Sequence, residues 1–136
     1  MSAPEHSSTV GAHTCVFKPA HGNIERITLD NEDYRRVLDT RKDFQLVVMC
    51  ITKRDQGIPA ETHHNTTQFF RIESGTVDFY INKARFRVEE DGFIVVPAGA
   101  LHIVRQVGEE PLKLYTVYAG ESPHKPGLVQ HRHYGA

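Results

Sequence analysis

Glu61, His63, Gln68 and His102 are the side chains of this chain best suited to gather on one metal ion. Glu61 and His63 stand two residues apart, so an extended backbone turns both to one face. Gln68 and His102 come from later segments that could converge on the same point. Carboxylate, amide-oxygen and imidazole donors suit a borderline or hard divalent ion, whereas thiolates select softer ones. Such a set offers a place for chemistry without naming the reaction.

The elements around these residues read as short strands. Gln45 to Ile51, Glu61 to His64, Gln68 to Ile72, Thr76 to Ile81, Ala84 to Val88, Phe93 to Val96, His102 to Val107 and Leu112 to Tyr118 are rich in β-branched and aromatic residues. Gly75, Asn82-Lys83, Asp91-Gly92, Pro97-Ala98-Gly99 and Gly108 to Pro111 punctuate them as turns. Regular short strands of this kind predict an all-β sandwich or barrel. Upstream, Asp30 precedes Tyr34, Val37 and Leu38, with Glu32 and Asp33 close by, and this spacing predicts one or two capped helical turns after Asp30. Residues 1–22 read as an arm, with Thr14 to Phe17 as a candidate edge strand, residues 23–119 as the barrel, and residues 120–136 as an extended tail outside the core.

At 136 residues, 39% hydrophobic and 24% charged, the chain is sized for one globular domain. Sixteen basic and seventeen acidic residues give a net charge of −1. With no basic stripe, nothing suggests a nucleic-acid partner. No apolar run approaches the roughly 18 residues of a membrane span, and the N-terminus lacks the charged and apolar regions of a secretory signal. Cys15 and Cys50 have no metal or redox spacing, so a reducing, cytoplasmic setting is expected, with Cys50 buried beside Leu46 to Met49 as a small hydrophobe.

Glu61-x-His63-x4-Gln68-x6-Gly75, followed by Pro97-x-Gly99-x2-His102, resembles the two motifs of the cupin superfamily. The strings Gln68 to Gly75, Val95 to Gly99 and Leu112 to Ala119 are similar to small single-domain cupins of the mannose-6-phosphate isomerase-like group. The resemblance implies a double-stranded β-helix, or jelly-roll, barrel with a metal inside, here with a short N-terminal helical turn. Glu61 occupies the place of the first motif histidine and Gln68 that of the motif glutamate, so the carboxylate has moved while the charge of the donor set is kept. Thr67, Ala100-Leu101 and Ile103 also depart from the pattern, and Gly92 lies one residue closer to Pro97 than usual; together they make the surroundings of His102 more apolar.

Without Gln68, Glu61, His63 and His102 form a two-histidine, one-carboxylate set suited to Fe(II). With it, a six-coordinate Mn, Fe, Ni or Co site is equally served, and Zn accepts the same donors. Tyr115, Tyr118 and Lys113 are the candidates for acid–base work; the two tyrosines lie on opposite faces of one strand, so at most one reaches the cavity. His64 should face away from His63. His124, His131 and His133 are assigned to the tail, Phe70, Ile72, Phe79, Tyr80 and Phe86 to the core, and Arg71 and Arg105 to the outside. The functional expectation is a metal-dependent enzyme acting on a small polar molecule, by isomerase-like or Fe(II) dioxygenase-like chemistry. Its alternative is a non-catalytic metabolite- or metal-binding module. Exposed sheet edges predict a homodimer.

Overall fold

The computed structural model describes residues 17–132. The arm expected to add an edge strand at Thr14 to Phe17 falls almost wholly outside those residues, as do Cys15 and His133. The first element is a helix, α1 (Ile24–Asp30), started by Asn23, whose Oδ1 accepts the Arg26 N–H at 2.9 Å. Glu25 in the first turn complements the helix dipole. The helix closes at Asn31, whose N–H bonds the Thr28 carbonyl.

This corrects the expectation of helical turns after Asp30, which is the last helical residue and not the start. Val37 and Leu38 instead lie in a strand, β1 (Arg35–Arg41), which Tyr34 just precedes and in which Arg35 and Val37 are buried while Arg36 is exposed. The alternation was hidden in the sequence because one of its inward positions is a charge. A register shift between Val37 and Asp39 disguises it further.

Nine more strands follow: β2 (Phe44–Ile51), β3 (Gly57–Glu61), β4 (Thr66–Ser74), β5 (Thr76–Ile81), β6 (Ala84–Glu89), β7 (Phe93–Val96), β8 (His102–Gln106), β9 (Leu112–Gly120) and β10 (Val129–Gln130). They form a six-stranded sheet in the order β10-β1-β2-β9-β4-β7 and a four-stranded sheet in the order β3-β8-β5-β6, with antiparallel pairing throughout. The two sheets make the predicted jelly-roll barrel.

Period two decides what fills it. Val47, Met49, Ile51, Phe70, Ile72, Leu112 and Leu114 project from the larger sheet, and Ile58, Val77, Phe79 and Val104 from the smaller. Phe70 meets Phe79 across the gap, edge to face, with ring centroids 4.8 Å apart. Cys50 is a buried free thiol. Two members of the expected core lie elsewhere. Phe86 sits on β6, the end strand of the smaller sheet, and is 46% exposed. Tyr80 faces outward beneath the Arg105 guanidinium, 6.0 Å from its ring centroid.

The stretch after Gly120, expected as a tail, docks on the barrel. β10 pairs with β1, and Val37 N–H bonds the Leu128 carbonyl at 2.9 Å. Its Pro and Gly content reads as loop, yet β1 would otherwise be a bare sheet edge, and this segment covers it. Among the described residues no helix is long and apolar enough to cross a membrane.

Candidate metal centre

The two motifs are brought together by backbone before any side chain is considered. β3 and β8 run antiparallel with Glu61 opposite His102. At the other end of β3, Gly57 allows the strands to meet: a Cβ there would lie 1.8 Å from the Val104 carbonyl oxygen. β3 ends at Glu61, so His63 lies just beyond the strand that was expected to reach His64. Its carbonyl accepts the Gly99 N–H at 2.9 Å, which ties the first motif to the Pro97-Ala98-Gly99 turn. Gly99 makes that turn with φ of +87°, a conformation that favours glycine.

From this frame Glu61, His63 and His102 converge, their donor atoms all within 4.8 Å of one another. His63 Nε2 lies 3.1 Å and His102 Nε2 3.9 Å from Glu61 Oε1. The His102 ring is 1% exposed, and its Nδ1 is 3.1 Å from the Ala100 carbonyl. Donation of that N–H to the carbonyl turns the Nε2 lone pair toward the cluster. Nε2 is buried and has no hydrogen-bond partner among the described residues.

Electrostatics keep the donors in their ligating forms. Burial, with His63 adding to it, pushes the His102 pKa below the ordinary histidine value against the opposing pull of Ala100 and Glu61, so the ring is neutral at physiological pH. Burial alone would raise the Glu61 carboxyl. The hydrogen bond and charge of His63, with Arg35 and His102 behind it, bring it below its ordinary value instead.

Gln68 enters from the opposite sheet, on β4. It is 1% exposed, and its Nε2 donates to Thr116 Oγ1 at 2.9 Å, leaving Oε1 buried without a partner. Buried polar atoms are rarely left unmatched, so two such acceptors, one on each sheet, fit a cation binding cavity. Gln68 is thus a buried oxygen donor on the opposite sheet and not a member of the Glu61, His63 and His102 cluster.

Of the three acid–base candidates, only Tyr118 faces inward. It is 1% exposed and stands edge-on to His63 at a centroid separation of 5.5 Å; its hydroxyl lies 3.2 Å from His124 Nε2. Burial raises its pKa, which keeps the phenol protonated. Tyr115 and Lys113 occupy the alternate positions of β9 and lie on the outer face, where Tyr115 packs beside Phe69 and the Lys113 ammonium donates to the Leu29 carbonyl. The strand's period of two excludes both from the cavity.

Two residues near the site were missed. His124 was counted with the tail, but its backbone is clamped on both sides by the buried Gln45 amide, at 3.2 Å from its N–H and 2.8 Å from its carbonyl. Burial, reinforced by the Arg35 charge, pushes its pKa down to about 4. Arg35 was hidden inside the supposed helical turn. Two other described histidines lie apart from the cluster: His64 is exposed, and His131 Nδ1 meets Asp33 Oδ1 at 2.7 Å.

The family model of the cupin domain matches residues 47–118. The chain belongs to the cupin family. It is 40% identical over 108 residues to YrkC of Bacillus subtilis, covering 75% of this chain and 58% of that protein. The chain therefore spans little more than half the length of that relative. It is 40% identical over 114 residues to protein L612 of Acanthamoeba polyphaga mimivirus, covering 81% of this chain and 70% of the other. The crystal structure of BH2720 from Bacillus halodurans is similar over 85% of this chain and 90% of its own, with a TM-score of 0.80 and 34% identity. Glu61, His63 and His102 all lie within the matched cupin domain.

Proposed function

We propose that this cupin is a metal-dependent enzyme acting on a small polar molecule, with Fe(II)-dependent dioxygenase chemistry favoured over sugar isomerisation. The observation that carries the reading is His102 Nε2, buried and unpartnered beside Glu61 and His63. A divalent ion held by these three residues would polarise substrate oxygens and, as Fe(II), leave positions open for dioxygen. Gln68 Oε1, buried on the opposite sheet, would orient water or substrate or complete the donor set.

An isomerase needs a group that removes a proton from carbon. Lys113 and Tyr115 lie outside the barrel, and Tyr118 is held protonated by burial. The Tyr118 hydroxyl meets His124 Nε2 and is poorly suited to abstract a proton, which weighs against the isomerase-like reading. The same shortage favours, as a second reading, a non-catalytic metabolite- or metal-binding module. Oxygen consumption by Fe(II)-loaded protein offered small hydroxylated and thiol compounds separates the two. Turnover that disappears in His63→Ala supports the enzyme; ligand binding without turnover supports the module.

A homodimer and a cytoplasmic, reducing setting belong to the same proposal. For the dimer, the support is the outer face of β4, β7 and β9. There Phe93 is 63% and Val95 47% exposed beside Phe69, and β7 is the end strand of its sheet. A second copy of this face is the proposed occupant. For the reducing setting, it is the unpaired Cys50 thiol.

A further inference from the structure

Arg35 is the charged group that the metal reading leaves unused. It is 6% exposed and shares the inward side of β1 with Val37, whereas Arg36 is exposed. Its Nη1 donates to Gln130 Oε1 at 2.6 Å, and the guanidinium stands 5.0 Å from the centroid of the Tyr34 ring. Both of those partners are neutral. Its Nε is buried with no hydrogen-bond partner among the described residues. Guanidinium does not deprotonate in proteins, so the barrel keeps a positive charge whose direct contacts leave it uncompensated.

That charge reaches the cavity. Arg35 pairs with the core residue Met49 of β2 and so stands on the inward side of the barrel, and its charge acts across the interior on His124. Glu61 cannot neutralise it once its charge is committed to a divalent ion. Two positive charges from the ion and one from Arg35, against one negative charge from Glu61, leave the interior with two in excess. A buried, positively charged and incompletely bonded site calls for an anion.

We propose that Arg35 is the anion-binding residue of the cavity and that the molecule handled there carries a carboxylate; the assignment rests on the metal reading above. The planar fork of guanidinium matches a planar carboxylate, and the unpaired Nε supplies one of its donors. A phosphate dianion is matched less well, because the neighbouring cation on the strand, Arg36, points away from the barrel. The carboxylate would be gripped by Arg35 with the remainder of the molecule directed toward Glu61, His63, His102 and the Tyr118 hydroxyl.

The test uses Mn²⁺ as the metal, with glycolate and its neutral analogue glycolamide as probes, read by water-proton relaxation of the Mn²⁺-loaded full chain. Wild type is expected to bind glycolate and to bind glycolamide at least about tenfold more weakly. Arg35→Met is expected to weaken glycolate binding by about tenfold or more while taking up Mn²⁺ at least as tightly as wild type, since a repelling charge has gone. Arg35→Lys keeps the charge without the fork and should lie between. Equal binding of glycolate and glycolamide, or glycolate binding by Arg35→Met within about threefold of wild type, overturns the inference. If Arg35→Met does not fold, Arg35→Lys decides: wild-type glycolate affinity there refutes the role of the fork. If wild type takes up no Mn²⁺, the metal reading fails separately. Glycolate is then titrated into metal-free wild type and Arg35→Met by NMR, and binding that does not depend on Arg35 overturns the anion site as well.

Discussion

Acidification of the metal-free protein should reveal His124. Its pKa is pushed from 6.5 down to about 4 in the folded chain, chiefly by burial. Below pH 6.5 the unfolded chain therefore takes up a proton that the folded chain resists, and folding loses free energy as the pH falls toward the folded value. The contribution is fully present above the unfolded pKa and gone below the folded one. Between pH 7.5 and 5 these two pKa values imply a loss of about 2 kcal/mol from this one residue. His102, also depressed by burial, adds to the loss in wild type. Replacing His124 with glutamine keeps an acceptor for the Tyr118 hydroxyl and removes the titration, so the variant isolates the term. Urea unfolding of wild type and His124→Gln at pH 7.5, 6, 5.5 and 5, without metal, measures it. The variant should lose about 2 kcal/mol less across this range. Parallel curves, agreeing within about 0.5 kcal/mol, would refute the burial of His124 in its neutral form.

Gly57→Ala should destabilise the fold by about 2–4 kcal/mol in denaturant unfolding and loosen metal binding with it, because the added Cβ meets the Val104 backbone, which cannot swing away as a side chain would. Asp78→Asn should cost about 1 kcal/mol at neutral pH: the carboxylate is 2% exposed and paired with Arg87 at 2.8 and 3.0 Å, but half-exposed arginine limits the gain by solvent screening. The hydrogen bond from Arg87 lowers the Asp78 pKa, so its contribution persists above the unfolded carboxylate value and is lost as the pH falls through the folded one. Phe93→Asp should convert a dimer to a monomer in multi-angle light scattering with unfolding temperature little changed; a wild-type monomer would defeat the proposed interface.

The sequence was most legible where period two and turn chemistry agreed. Thr76 to Ile81 and Phe93 to Val96 coincide with β5 and β7, bounded by the Gly75 and Asp91-Gly92 turns. The convergence of Glu61, His63 and His102 was legible from the spacing of the two motif segments, although His63 lies beyond the end of β3. Legibility failed where a strand violates the usual pattern of apolar residues inside. Arg35 occupies an inward position of β1, so the segment lost its alternation and looked helical. It failed again after Gly120, where the segment gains order from one β1 edge and from a glutamine 79 residues away, contacts that local composition cannot report. Tyr115 and Tyr118 were separable by parity alone, but which of them faced inward depended on the pairing of β9 with β2 and β4.

The central claim is a metal held by both cupin motifs, and metal analysis tests it most directly. Wild type and a His63→Ala, His102→Ala double variant are purified without added metal, reconstituted anaerobically with Fe(II), desalted and assayed by elemental analysis. The account predicts near-stoichiometric metal in wild type and less than about a tenth of that in a folded double variant. Wild type that stays empty, or a double variant that retains its metal, would contradict it.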